Sequence, residues 1–286
     1  MKKAFLFALA AATLAVPALA DHHGGKMADH DKMHKAHQDR LAQILADPAR
    51  ANDAKRDKYR HPAETFEFFR LHPDHVIGEY APGGAWVSRI LGRYINENGK
   101  YTGLYFGTKT FFSDQQKQGI ASAVGKFPSD VAAVSGRPAA DFNAFSLSET
   151  PEGAKGTFDR ILIMRMMHNI MNWNIADAEI KAMRDLLKPE GLIGIEQHRA
   201  KADAPFSYTD GSKGYMREAD IINFMKIHGF ALVAKSEVNA NPKDSANWPD
   251  GVWTLPPALR LKDVDRAKYE GIGESDRMTL LFQKRD

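Results

Sequence analysis

His75-Val76-Ile77-Gly78-Glu79-Tyr80-Ala81-Pro82-Gly83-Gly84-Ala85-Trp86 is the stretch whose reading decides the fold. A short apolar run ends in an acid, a turn of small residues follows, and Trp86, Ile90, Leu91 and Tyr94 then mark one face of a helix. A strand that brings a carboxylate to a sheet edge, small residues that let backbone approach a ligand, and a helix start with free N–H groups together hold nucleotide-type cofactors. A plain tight connection uses the same residues, so the reading depends on what surrounds it.

Outward from this segment, strand and helix signals alternate. Residues 76–80 read as a first strand, 96–100 as a turn and 101–106 as a second strand. Residues 113–134 read as helical around a break at Phe127-Pro128, and 143–147 and 158–164 as the third and fourth strands. Ile180, Met183 and Leu187 mark a helix stopped by Lys188-Pro189-Glu190-Gly191, and residues 192–196 form a fifth, buried strand. A helix carrying Ile221, Phe224, Met225 and His228 leads to a strand at 230–235, and 278–283 is the last strand. Upstream, Leu41, Ile44 and Leu45 suggest a helix, and Pro62 opens another bearing Phe66 and Phe69. Such alternation predicts one α/β domain over residues 40–286, a mostly parallel sheet with helices on both faces.

The N-terminus carries a different signal. Lys2 and Lys3 precede an apolar run over residues 4–16, and Ala18-Leu19-Ala20 is a small-x-small site before Asp21. This is the pattern of a signal peptide over residues 1–20, cleaved between Ala20 and Asp21, and it predicts a periplasmic or secreted chain. The run is too short to span a bilayer, so no stable membrane insertion is expected after cleavage. Cleavage removes two lysines, which leaves 37 basic against 36 acidic residues and no reason to expect a nucleic-acid partner. Absence of cysteine excludes disulfides, thiolate metal sites and cysteine nucleophiles. Residues 21–39 read as a flexible His-rich tail in which His30, His34 and His37 share a helical spacing. Those imidazoles give adventitious metal affinity, and no metal site is expected in the domain itself.

Taken together, residues from about 50 onward resemble the class I S-adenosylmethionine-dependent methyltransferases, and within them an exported group of unknown substrate. Residues 76–86 resemble the first motif of that superfamily, Phe158-Asp159-Arg160-Ile161-Leu162 its fourth strand, and Leu187-Lys188-Pro189-Glu190-Gly191-Leu192 the approach to its fifth. Arg165-Met166-Met167-His168-Asn169, Glu196-Gln197-His198-Arg199 and Ser275-Asp276-Arg277 resemble the narrower group. The resemblance implies a Rossmann-like seven-stranded sheet, the last strand antiparallel between the fifth and sixth, and S-adenosyl-L-methionine bound by Glu79, Ala81, Gly83, Gly84 and Ala85. Two departures stand out. Ala81 and Ala85 occupy positions where the superfamily has glycine, and Tyr105-Phe106-Gly107-Thr108 lacks the acid that usually holds the ribose, with Asp114 the nearest substitute.

Methyl transfer needs the acceptor to be positioned and, where it carries a proton, deprotonated. His168 and His198, just past the fourth and fifth strands, are the candidate bases; a structural alternative is a capping or loop hydrogen bond. Asn169, Trp173, Tyr215 and Arg217 are candidates for binding a small-molecule substrate, with core packing for Trp173 and a surface ion pair for Arg217 as alternatives. The competing function is a methyltransferase-like protein without transfer activity that binds a metabolite or a metal.

Overall fold

The protein is described here by a computed structural model covering residues 23–109 and 111–285. The signal-peptide reading, its cleavage point and the His30 side chain fall outside the described residues.

The strands are β1 (Val76–Tyr80), β2 (Lys100–Tyr105), β3 (Phe142–Ser146), β4 (Phe158–Met164), β5 (Leu187–His198), β6 (Phe230–Ser236) and β7 (Arg277–Lys284). They form one sheet in the order β3-β2-β1-β4-β5-β7-β6. The first five pair in parallel, and β7 runs antiparallel to both β5 and β6. Met278 thus lies opposite Gln197 and Gln283 opposite Ala231, the placement expected of the last strand.

The helices are α1 (His23–Leu45), α2 (Ala51–Ala54), α3 (Asp57–Arg60), α4 (Pro62–Phe68), α5 (Ser88–Tyr94), α6 (Asp114–Ser135), α7 (Met167–Asn172), α8 (Ala176–Leu186), α9 (Phe206–Thr209), α10 (Glu218–Ile227) and α11 (Arg266–Ile272). Alternate strand residues feed two cores. Ile161 and Ile163 pack with Ile170, Ile180, Met183, Ile221 and Met225 on one face, while Leu162 and Met164 pack with Phe66, Ile90, Leu91 and Phe127 on the other. Parallel strands covered on both sides are apolar where they cross the core, which is why residues 161–164 of β4 and 192–195 of β5 read as continuous hydrophobic runs. No helix among the described residues is long and apolar enough to cross a membrane.

Three expectations change. Residues 23–45 form one helix, α1, whose C-terminal part is tied to the domain by buried Leu41 and by Arg40, whose guanidinium donates to the Tyr94 and Arg93 carbonyls at 2.7 and 2.8 Å. The 39/40 boundary therefore falls inside a helix.

The break at Phe127-Pro128 is absent, since α6 passes through Pro128. A Ser113/Gln116 capping box fixes its start and Gly136 in the left-handed region its end. Phe127 and Val131, buried on either side of the proline, hold the helix against Tyr101 and Tyr105, and this packing outweighs the lost backbone bond. Gly103 makes the approach possible, because a Cβ there would lie 2.9 Å from the Phe127 ring.

Pro189 and Gly191 do stop α8, at Leu186, but the chain is already extended at Leu187; β5 begins five residues early and shifts register opposite Phe158 and Arg160.

Candidate active site

β1 has β2 on one side and β4 on the other, so the order in which strands are added to the sheet switches direction between β1 and β4 and leaves a crevice at their carboxyl ends. The backbone there is strained. Ala81, Ala85 and Arg165 adopt φ of 49°, 57° and 58°, a left-handed conformation that costs a side-chain-bearing residue roughly 1–2 kcal/mol. The two alanines at glycine positions of the motif thus keep a glycine backbone. Gly83 and Gly84 are exposed; a Cβ at Gly84 would meet nothing within 4 Å, and one at Gly83 only the Ala81 carbonyl at 4.0 Å. Their outer side is open to a ligand.

Glu79, 4% exposed, accepts hydrogen bonds from Ser88 Oγ at 3.0 Å and from the Tyr101 hydroxyl. Burial pushes its carboxyl up, against the lowering effect of those two donors and of Arg165. The partners that a buried carboxylate requires are hydroxyls, one of them on the first residue of α5.

Two cavities meet at Ala81, Gly83 and Met166. The larger, about 550 Å³, is apolar: Tyr105 and Phe106 come from the end of β2, Phe111 and Phe112 from the next loop, Ile120 and Ala123 from α6, and Trp173 closes the far side. Trp173 is 40% exposed and meets Phe106 edge-on at 5.0 Å. The loop after β2 is held by Glu179, whose buried carboxylate accepts from Tyr80 Oη at 2.9 Å and from the Gly107 N–H at 3.2 Å and pairs with Lys109 at 3.2 Å. No acid lines this cavity. Asp114 is exposed and sits 3.9 Å from Lys117, and Gln116 is the lining residue of that turn.

The smaller cavity, about 220 Å³, is lined by Arg56, Arg60, Arg165, Glu79 and the 81–87 turn. Its arginines belong to a buried cluster. Glu274 binds Arg56 at 2.7 Å, Arg60 at 3.0 Å and Arg277 at 3.0 Å, while Glu196 binds Arg165 at 2.9 Å. Arg277 Nε lies 2.6 Å from Glu196 Oε1, a close charge contact at an angle poor for a hydrogen bond. Arg60 also covers the Trp86 ring at 4.9 Å. Burial would raise the Glu274 carboxyl, but Arg60, Arg277 and Arg56 outweigh it and hold it at about 2. Desolvation, with Arg165 adding to it, brings the Arg60 guanidinium down to about 9. Four guanidinium groups thus face two ionised carboxylates and a Glu79 whose ionisation burial opposes.

His168 and His198 come together, ring centroids 5.6 Å apart, but neither lines either cavity. His168 is 4% exposed beside the Gln197 amide, and His198 Nδ1 lies 2.6 Å from Ser275 Oγ. Burial lowers His168 to about 4, and burial together with His168 and three arginines takes His198 well below its ordinary value. Both rings are neutral at pH 7 and weak as bases.

Asn169 is half-buried against Met166 Sδ at 3.4 Å, one residue behind the cavity wall. Tyr215 is fully buried in a separate cluster, its hydroxyl donating to Asp244 at 2.9 Å, and Arg217 pairs with Asp220 at 2.7 Å; neither reaches the cavities. The sequence reading gave no role to Arg165, quoted only as part of a motif, and missed Arg56, Arg60 and Gln116, which the folded chain brings to the cleft. It also missed Phe111, which is 64% exposed beside the buried ring of Phe112.

Strand order and the antiparallel β7, with a cleft at the β1–β4 switch point, match the Rossmann-like methyltransferase fold. Among solved structures, the chain is similar to the [4+2]-cyclase SpnF, at TM-score 0.50 and 18% identity over 79% of this chain and 81% of that one. It is likewise similar to the MccD protein, at TM-score 0.50 and 10% identity over 78% and 95%. A SAM-dependent methyltransferase from Aquifex aeolicus aligns at TM-score 0.48 and 12% identity over 85% and 98%. No protein-family model and no curated protein matches the sequence.

Proposed function

We propose that the chain binds S-adenosyl-L-methionine across the two cavities and transfers its methyl group to a small-molecule acceptor. The observation that carries this reading is the division of the cleft: an apolar, aromatic-walled chamber and an arginine-rich recess meet over a turn whose outer side is open. That division fits a ligand with a planar base at one end and an amino-acid carboxylate at the other. The combined space lies within the range of about 300–1,000 Å³ usual for cofactor sites.

Tyr105, Phe106 and Trp173 would enclose the base, the 81–85 turn would lie beneath the sugar, and Arg60 and Arg165 would hold the carboxylate. Glu79 would face the ammonium group or a sugar hydroxyl once Tyr101 or Ser88 shares its oxygens. The cofactor supplies an electrophilic methyl on a sulfonium. The protein's part is to orient the acceptor and keep water out, which Phe111, Phe112 and Trp173 do at the mouth. His168 and His198, buried and neutral, support the wall behind this site and are not its base in this reading. We also propose that the mature chain starts at Asp21 and acts in the periplasm or outside the cell; mass spectrometry of the chain recovered from those fractions tests this.

Calorimetry tests the site. The protein is expected to bind S-adenosylmethionine or S-adenosylhomocysteine, and Glu79→Ala to weaken binding at least tenfold, about 1.4 kcal/mol. No heat with either ligand at millimolar concentration overturns the reading. Binding without methyl transfer to any acceptor in a small-molecule extract favours the non-catalytic alternative.

A further inference from the structure

At the opposite end of β1 from the cleft, the fold gathers imidazoles that lie far apart in sequence. His72 and His75, in the loop leading into β1, stack with centroids 4.6 Å apart and planes 11° apart. His37 of α1 places its ring 5.0 Å from that of His72. One ligand atom from each of His72, Asp74 and His75 lies within 4.8 Å of the others. Among the described residues, the rings of His37 and His72 have no hydrogen-bond partner, and His75 Nδ1 accepts a single long bond, 3.3 Å, from the His72 backbone N–H. His34 and His37 line a cavity of about 470 Å³ with His72, and His34 Nε2 sits 3.7 Å from Glu67.

We propose that this cluster is a binding site for a nitrogen-preferring divalent transition-metal ion, with His72, Asp74 and His75 as ligands and His37 completing the set from α1. Imidazoles with one carboxylate suit Zn²⁺, Ni²⁺ or Cu²⁺, whereas Mg²⁺ and Ca²⁺ take oxygen. A tetrahedral shell with bonds of about 2.1 Å has edges of about 3.4 Å, so the ligands must close up on binding. Asp74 is exposed and free to swing in. Arg160 lines the same cavity and opposes a cation, but it is held by the Phe69, Arg70 and Asp159 carbonyls, and Asp159, Asp74 and Glu67 offset its charge.

The site bridges two elements, α1 and the loop into β1, at the end of the strand remote from the cleft. Its ion would pin the N-terminal helix to the domain and take no part in methyl transfer. The inference is independent of the proposed activity.

The test titrates the full, untagged chain with Zn²⁺ against a chromophoric chelator and follows thermal unfolding with and without the ion. One ion per chain with a rise in Tm is expected, and His72→Gln/His75→Gln should weaken binding at least tenfold and remove the rise. Changing His22, His23 and His30 to glutamine should leave both unchanged. Far-UV circular dichroism and a cooperative thermal transition without the ion check that the variants fold. Should the double variant fail to fold, His37→Gln alone is expected to weaken Zn²⁺ binding several-fold. Unchanged affinity in the loop variants, or a loss confined to the His22/His23/His30 variant, overturns the proposal and leaves only an adventitious N-terminal metal segment.

Discussion

Glu274→Gln removes one charge from the buried arginine cluster and almost nothing from its shape. The carboxylate is 4% exposed and touches Arg56, Arg60 and Arg277 at 2.7 to 3.0 Å. Its pKa falls from 4.5 to about 2 on folding. At about 1.4 kcal/mol per pH unit, that interval corresponds to about 3 kcal/mol of stabilisation, in line with the 3–5 kcal/mol typical of breaking a buried pair from one side. The sign follows from proton counting. Between pH 4.5 and 2 the unfolded carboxyl binds a proton that the folded one refuses, so the stabilisation is complete above 4.5 and disappears as pH falls towards 2. The glutamine chain lacks it at every pH. Urea unfolding at pH 7 should therefore show a deficit of about 3 kcal/mol at equal m-value, about 6–12 °C in Tm, and the deficit should narrow from pH 5 to pH 3. A loss under 1 kcal/mol at pH 7, or a deficit that stays constant with pH, refutes the reasoning. Because Arg60 is held from both sides, by Glu274 and by the Trp86 ring, the same variant should also weaken S-adenosylhomocysteine binding in calorimetry.

Trp173→Ala should weaken cofactor binding roughly tenfold, since stacking on an aromatic ring is worth about 1–3 kcal/mol per base, while its exposure keeps the effect on Tm small; equal affinity by calorimetry counts against the apolar chamber as the base site. Gly103→Ala places a methyl 2.9 Å from the Phe127 ring and should cost about 1–3 kcal/mol in urea unfolding. Ala85→Gly relieves a φ of 57° and should leave stability equal or raise it by up to about 1 kcal/mol, so a loss of that size counts against the left-handed turn. His168 takes its proton at 6.5 unfolded and at about 4 folded, so the unfolded state binds more protons between those values and stability falls as pH drops through them. His168→Gln should remove about 3 kcal/mol of that fall, read as a flatter unfolding profile between pH 7 and 4.5.

The strands were legible because each is an apolar run bounded by turn residues, and β1 and β4 end where the pattern says. Periodicity could not show that Phe127 and Val131 would carry a helix across Pro128, since that depends on Gly103 in another strand. Of the candidate site, Glu79 and the 81–85 turn were readable from local chemistry; for Trp173 the sequence left binding and core packing open, and the fold puts it on the cavity wall. The arginines were not. Arg56 and Arg60 lie in a charge-rich stretch that resembles a solvated surface, and only Glu274, more than 200 residues away, draws them inward. Tyr215 and Arg217 fell near the right place in the chain, but Asp244 and Asp220 engage them elsewhere. The imidazole cluster was hidden for the same reason: His37 and His72 are neighbours only after α1 packs beside the loop into β1.

β7 enters the sheet between two strands made before it, pairing Leu192 with Gln283 across 91 positions of chain. During synthesis the ribosome delivers β5 and β6 with no bond between them, and both wait with open edges for the segment that joins them. Arg277, the residue that links Glu196 to Glu274, arrives on that same segment. Sheet closure and the placing of Arg277 between the two buried carboxylates are therefore one late event, and long-range pairing of this kind is slow. A nascent chain that stays incomplete until then remains threadable, a useful property for a protein proposed to cross a membrane before it folds.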